Sequence, residues 1–459
     1  MSARPSHRRH RPETARGAAL GVLEGVEGRG GSSNLLLAEI HVPDERERHL
    51  ATTLVYGVLR RRRTLDRLIE TTSARPLSEI DLPTLLALRM ALFQILFLTR
   101  VPRAAAVNEA VSLLRARRGR GAAAFANGVL RAACRLLEGG LDPHLLPSEE
   151  SSDTALVLAE RHSFPRFLVE RYLERFGREE CESLLETLNR PAPTVLRLRQ
   201  PSEGSESVQR RLREEGVATG PSPLLPGALR VVSGAPQHTK VFRDGLIYIQ
   251  DEAAQIVALL LQPIDPARGL LDLCAAPGGK LLAAAETLPP GARIVAAEAS
   301  VERLRLLDDN ARRLGIAGLL RVVMDAERPA LRGLFGRMLL DAPCTGTGVI
   351  RRHPEIRWRR SPEDIQAAAR AQGRALRAAA GLVSPDGRLV YSVCSLEPEE
   401  GPERIEELLL ERGDLTLVDA RSILPPALHR LVDGRGFLQT LPHRDDTDGF
   451  FAAVLSRSG

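Results

Sequence analysis

Leu270-Leu271-Asp272-Leu273-Cys274-Ala275-Ala276-Pro277-Gly278-Gly279-Lys280 is the stretch from which the fold is read. Leu270, Leu271 and Leu273 suit a strand covered on both faces. Ala275 and Ala276 make a thin turn. Gly278 and Gly279 let the backbone approach a ligand and expose N–H groups at the start of a helix predicted over Leu281 to Leu288. Taken alone, the same letters suit a strand-turn-helix of any α/β domain. The residues that follow separate the two readings.

From Arg268 onward strands and helices alternate. Strands are predicted at Leu270–Leu273, Arg293–Ala297, Leu319–Met324, Met338–Asp341 and Arg388–Val393. Helices are predicted at Val301–Leu314, Glu363–Leu382 and Glu403–Glu411, and Phe450–Ser456 reads as an antiparallel edge strand. This order predicts a largely parallel sheet with helices on both faces. In such sheets ligands sit beyond the carboxyl ends of the strands. The Ala275–Lys280 loop, Glu298, Asp325, Asp341-Ala342-Pro343-Cys344 and Cys394 all fall there. An acid after the second strand suits ribose hydroxyls, and one after the third suits an adenine amino group. Each is equally a common strand-end or helix-capping residue when taken singly. Cys394 stands at a strand-to-helix turn, where donors favour a thiolate.

Upstream of Arg268 the pattern changes. Pro12 to Leu137 is helical throughout, with Leu50, Leu54, Val58, Leu65 and Leu68 at helical spacing and Pro83 opening a further helix. Arg60–Arg63 and Arg115, Arg117, Arg118 and Arg120 form basic clusters that read as solvated faces. Gly139–Ser152 reads as a linker. Thr194–Leu198, a helix near Ser207–Glu215 and Ala228–Val232 suggest a small α/β unit, joined through Ile247–Glu252 to a helix at Ala253–Leu261. The expected domains are 1–140, 150–240 and 241–459.

With 459 residues, about three domains are expected. Net charge is +6, which permits a polyanionic partner. The positive charge is nearly all arginine. Lys240 and Lys280 are the only lysines, so a lysine kept inside the organising loop suggests that a compact ammonium is wanted there. The five cysteines show no metal-ligand spacing, which argues against zinc and a disulfide framework; Cys134 and Cys181 read as small buried hydrophobes. Met1–Thr14 is basic without an apolar run, and no stretch is apolar enough to span a bilayer. A cytoplasmic monomer, with no membrane and no metal, is the expectation.

Val107-Asn108-Glu109-Ala110-Val111, followed by Ala123-Ala124-Phe125-Ala126-Asn127-Gly128-Val129-Leu130-Arg131, resembles the NusB family of helical RNA-binding factors over about the first third of the chain. The Leu270–Lys280 loop, Asp341-Ala342-Pro343-Cys344-Thr345-Gly346-Thr347-Gly348-Val349-Ile350-Arg351-Arg352-His353-Pro354, Tyr391-Ser392-Val393-Cys394-Ser395 and Asp448-Gly449-Phe450-Phe451 resemble the Nop/Sun family of RNA cytosine-5 methyltransferases. Together the segments resemble its bacterial small-subunit rRNA branch. The resemblance implies a Rossmann-like class I methyltransferase domain, preceded by a small α/β unit and an all-α NusB-like domain. It implies S-adenosylmethionine as cofactor, held or bordered by Cys274, Ala275, Ala276, Pro277, Gly278, Gly279, Lys280, Glu298, Arg303, Asp325 and Asp341. It implies Cys394 as nucleophile toward C6 of cytosine and Cys344 as the cysteine assisting release, with Asp341 and Lys280 beside the base. The implied product is 5-methylcytosine in 16S ribosomal RNA of an unassembled or partly assembled small subunit, with tRNA as an alternative substrate and no DNA.

Three positions depart from the family's usual pattern. Val393 stands where Thr commonly precedes the nucleophile, Glu298 where Asp is frequent, and Arg199 in an altered RNA-contact motif. Ile350–Arg360 forms a basic loop bearing Trp358, suited either to phosphate binding and base stacking or to plain packing. A small-molecule methyltransferase would not need paired cysteines. A DNA cytosine-5 methyltransferase would carry a Glu-Asn-Val motif, which is absent. An RNA-binding factor without activity would leave Asp341, Cys344 and Cys394 unexplained.

Overall fold

A computed structural model describes residues 14–140, 153–199 and 204–459. The expected basic arm before Thr14 and the Leu141–Ser152 part of the expected linker lie outside them. The chain divides into two compact units. One comprises Met1–Asn189 with His353–Arg359, the other Arg190–Arg352 with Arg360–Gly459.

The first unit is helical. Its main helices are Ala15–Arg29, Glu45–Thr72, Leu82–Phe97, Arg103–Arg118 and Arg120–Glu138. Their starts are capped by side chains: Thr14 accepts from Gly17 N–H, Asp44 from Glu47 N–H and Asp81 from Thr84 N–H. Leucines at helical spacing, among them Leu20, Leu23, Leu54, Leu65, Leu88 and Leu130, are fully buried and form one core. Buried Arg89 makes a two-bond fork to Asp66 at 2.6 and 2.9 Å and also reaches Glu27 at 2.8 Å. Removing one partner from such a buried set costs about 3–5 kcal/mol. The basic cluster at Arg60–Arg63 is not simply a solvated face. Arg62 pairs with Glu27 and Asp66, and Arg63 with Glu160 and Glu70.

In the basic loop, plain packing is the alternative that holds for Trp358. Trp358 does not stand free for a base: its indole N–H donates to Leu59 O at 2.7 Å, and the Arg62 guanidinium lies 5.4 Å from its ring. Arg357 is fully buried, stacked 3.8 Å from the Phe164 ring centroid, and donates to Leu188 O, Ser163 O and Asn189 Oδ1. Arg359 donates to Val26 O, Gly30 O and Gly31 O. These side chains spend their donors on protein oxygens, mostly backbone carbonyls, rather than on phosphate.

The second unit holds two sheets. The smaller is antiparallel, with β1 Val195–Leu198, β2 Ala218–Pro221, β3 Leu229–Ser233 and β4 Ile247–Ile249 in the order β2-β3-β1-β4. The larger contains β5 Leu270–Asp272, β6 Ile294–Glu298, β7 Leu319–Val323, β8 Phe335–Asp341, β9 Val383–Val393, β10 Leu415–Val418, β11 Leu438–Thr440 and β12 Phe450–Arg457. Its order is β10-β12-β9-β8-β5-β6-β7, with β11 against β12. The β7-β6-β5-β8-β9 part is parallel, as the βα alternation predicts. The fold is Rossmann-like, and its strand order reverses between β5 and β8. That switch point is where a crevice opens above the sheet.

β12 is antiparallel but is not at the edge. It lies between β9 and β10, and β10 supplies the margin. Phe450 to Leu455 are all buried. A continuous apolar run of this kind belongs inside a sheet, whereas an edge strand needs a polar face. β2, β4, β10 and β11 have no counterpart among the predicted strands. They are three or four residues long, too short to display a period.

Candidate active site

The carboxyl ends of β5, β6, β7, β8 and β9 bring the chemistry-bearing side chains to one rim. β8 and β9 are adjacent and parallel, with Asp341 registered against Ser392. Cys344 and Cys394 therefore leave neighbouring strand ends, and their sulfurs lie 3.2 Å apart with no disulfide between them.

Lys280 lies just inside the helix Gly279–Ala285, which follows the glycine turn. Its ammonium donates to Asp341 Oδ2 at 2.7 Å and sits 4.8 Å from the Phe450 ring centroid. Ser392 donates to the other oxygen of Asp341 at 2.6 Å. Burial works against the charged ammonium, but the adjacent Asp341 carboxylate outweighs it and the Lys280 pKa is raised. The same ammonium interacts favourably with Cys394. The hydrogen bond to Cys394, burial, and the negative charges of Glu400 and Asp341 push Cys344 well above the ordinary thiol range. Cys344 is thus held protonated at neutral pH.

Beside this cluster is a pocket of about 170 Å³, lined by Cys274, Glu298, Arg303, Asp325, Pro343 and Gln372 among others. Glu298 is 4% exposed. Its Oε1 accepts from Ser300 N–H and Arg303 Nη1, while its Oε2 is buried without a hydrogen-bond partner. A buried orphan acceptor of this kind suits a ligand hydroxyl. Arg303 also ties the pocket wall to the glycine turn through Ala276 O at 2.6 Å. Asp325 is exposed at its rim, its Oδ1 engaged by Glu327 N–H. Of the turn itself, Ala275 and Ala276 are buried and Pro277 is exposed. Gly278 has φ +106°, and a Cβ there would meet Leu282 Cδ1 at 2.8 Å, so the turn requires glycine. Cys274 lines the pocket, and burial, followed by the charge of Asp272, raises its thiol pKa strongly. Burial likewise raises that of Cys181, to about 12.

Several residues at this rim escaped the sequence reading. Asp272, 1% exposed, ends β5 and accepts from Cys274 N–H at 3.1 Å. Burial, then the charge of Asp341, raises its pKa to about 8, so it is largely protonated at neutral pH. A carboxylate inside Leu-Leu-Asp-Leu was the available signal. Gln372 was detectable too, as a polar residue on the buried stripe of Ile365, Ala369, Ala375, Leu376 and Ala379. Glu400, in Glu-Pro-Glu-Glu-Gly, looked like any solvated acid, yet it is fully buried.

Comparisons with known proteins agree with this fold. Residues 258–456 match the family model described as 16S rRNA methyltransferase RsmB/F. Residues 13–135 match the NusB family, and residues 164–238 the ferredoxin-like domain of RsmF/B-like methyltransferases. A probable ribosomal RNA small subunit methyltransferase B of Synechocystis sp. is 35% identical over 90% of this chain and 92% of its own length. The ribosomal RNA small subunit methyltransferase B of Escherichia coli O127:H6 is 33% identical over 95% of this chain and 97% of its own length. The crystal structure of PH0851 superposes with a TM-score of 0.81 at 25% identity, covering 96% of this chain and 99% of that one.

Proposed function

The chain belongs to the 16S rRNA methyltransferase RsmB/F family, and from that premise we propose that it transfers a methyl group from S-adenosylmethionine to C5 of a cytosine in 16S ribosomal RNA through a covalent bond between Cys394 and C6 of the base. The observation that carries this reading is the pair of sulfurs 3.2 Å apart beside the Lys280–Asp341 ion pair.

The cofactor supplies an electrophilic methyl group. The residues fit it: the glycine turn opens the crevice, Glu298 offers an unpartnered buried oxygen for ribose hydroxyls, and Asp325 borders the same pocket. The remaining chemistry belongs to the chain and the base. C5 of cytosine is a weak nucleophile. Addition of the Cys394 thiolate at C6 would make C5 enamine-like and able to take the methyl group that the cofactor would supply. Loss of the C5 proton and breakage of the Cys394–C6 bond then restore the aromatic ring. The Lys280 ammonium favours the anionic sulfur and offsets charge developing on the base, and Asp341 holds the base edge. Cys344, held protonated, assists release rather than competing as nucleophile.

The target nucleotide must leave its stack, at a cost of about a few kcal/mol, so loops and loosened helices are favoured substrates. The NusB-like region contributes RNA affinity, and the substrate is rRNA that is free or only partly assembled. Tritiated methyl transfer to 16S rRNA fragments, with tRNA and DNA alongside, tests the reading. Incorporation as 5-methylcytosine into the rRNA alone supports it; incorporation into tRNA in preference moves the substrate assignment; none with any RNA overturns it.

A further inference from the structure

The ladder that holds β8 beside β9 ends before either cysteine. Its last registered pair is Asp341 with Ser392, followed by one bond from Ala342 N–H to Ser392 O. Cys344 and Cys394 therefore sit on chain that has already left the sheet. Something else must set the spacing of their sulfurs.

Glu400 lies between these two chains. Its carboxylate is fully buried and gathers four donors. Oε2 accepts from the Thr345 N–H at 2.9 Å and from Gln372 Nε2 at 2.8 Å. Oε1 accepts from the Ser395 hydroxyl at 2.6 Å and from the Thr345 hydroxyl. Thr345 is the residue after Cys344, and Ser395 the residue after Cys394. The backbone of Glu400 is itself held, because the Tyr391 hydroxyl donates to its carbonyl at 2.6 Å. Gln372 also donates to Pro343 O at 2.9 Å, on the residue before Cys344, and it lines the pocket described above.

We propose that Glu400 is a positioning residue for the reaction, a carboxylate clamp that binds the residue after each cysteine and so sets the register of the two thiols. The inference rests on the cysteine mechanism of the preceding section. Two facts favour this role over mere packing. A buried carboxylate is a costly way to fill space, since a leucine of similar size stabilises a core at less expense. The four donors converge on two oxygens from both cysteine-bearing chains and from the helix Pro362–Ala380, not from one element. Other ties are present, such as Gly348 N–H to Cys394 O at 3.1 Å and Leu396 N–H to Thr347 Oγ1 at 2.9 Å. The Thr345 and Ser395 hydroxyls also lie 3.4 Å apart, and the carboxylate is the charged group that gathers both of these residues, each adjacent to a sulfur. Its charge also helps keep Cys344 protonated.

Glu400→Gln and Glu400→Leu separate the possibilities. With Gln, the amide oxygen can keep the two N–H donors, and the Thr345 and Ser395 hydroxyls can turn to accept from its NH2. With Leu, every tie is lost. Each variant is assayed for methyl transfer to a 16S rRNA fragment, and for covalent adduct when combined with Cys344→Ser. The expected result for Glu400→Leu is a fall in kcat of about 100-fold, as for other displacements of about 1 Å, with KM for S-adenosylmethionine within about threefold and slowed adduct formation. Glu400→Gln should recover most of the loss. A folded Glu400→Leu with unchanged kcat and adduct rate overturns the proposal. If Glu400→Leu does not fold, Thr345→Val with Ser395→Ala removes the two hydroxyl donors of the clamp from the other side and leaves the two N–H donors. That variant should lose about tenfold in kcat at unchanged KM, and an unchanged kcat overturns the proposal equally. Absence of transfer and of adduct in the parent and in Cys344→Ser would instead defeat the cysteine mechanism, whatever Glu400 does.

Discussion

Cys344 Sγ lies 3.2 Å from Cys394 Sγ, and the two have unequal surroundings: bonding to Cys394, burial and neighbouring carboxylates keep Cys344 protonated, while the Lys280 ammonium interacts favourably with Cys394. Two like residues thus meet different surroundings.

The first prediction follows from that inequality. Cys394→Ser abolishes transfer and forms no adduct, because a hydroxyl is a far weaker nucleophile than a thiol at neutral pH. Cys344→Ser accumulates a cofactor-dependent protein–RNA adduct that survives denaturing electrophoresis. Adduct from Cys394→Ser instead would reverse the assignments.

Lys280→Met leaves Asp341 with Ser392 but without its cation. Breaking this half-buried pair on one side leaves the Asp341 charge uncompensated, and the cation in favourable interaction with Cys394 is lost. The melting temperature should fall and single-turnover adduct formation should slow by at least tenfold. Retention of both would remove Lys280 from the site's chemistry.

Glu298→Ala deletes the unpartnered buried oxygen of the pocket. Titration calorimetry with S-adenosylhomocysteine should show affinity weakened by about 10–100-fold, the range for losing a hydrogen bond to a charged group. Unchanged affinity in a folded variant places the ribose elsewhere.

Asp272 makes stability pH-dependent. Its pKa is raised from 3.8 to about 8 in the folded chain, by burial first and by Asp341 second. Between these values the folded state holds more protons than the unfolded state, so the contribution is full below about pH 4 and is lost as pH rises through about 8. Asp272→Asn cannot ionise, and its oxygen can still accept from Cys274 N–H. The melting temperature of this variant relative to the parent should therefore climb steadily from pH 5 to pH 8.5. A difference that stays flat across that range would refute the buried-acid reading.

Trp358→Phe tests the packing role in the basic loop. Loss of the indole bond to Leu59 O should lower stability by about 0.5–1.5 kcal/mol while RNA affinity is maintained. A loss of RNA affinity without loss of stability would restore the stacking role.

The parallel sheet was legible from letters alone, because apolar runs such as Leu270–Leu273 alternate with amphipathic helices, and that period is a local property. So was the helical first unit, whose leucine spacing is a local pattern of the same kind. Placement of β12 inside the sheet was a different matter, since strand order is decided by which distant partners bury which faces. The pairing of Cys344 with Cys394 needed β8 and β9 to become neighbours across fifty residues of sequence separation. The burial of Asp272 and Glu400, and the capture of Trp358 by Leu59, likewise depended on contacts that no local pattern records. Periodicity and residue type reveal what a segment prefers; burial, and with it the charge state and partners of each side chain, exists only after the segments have packed.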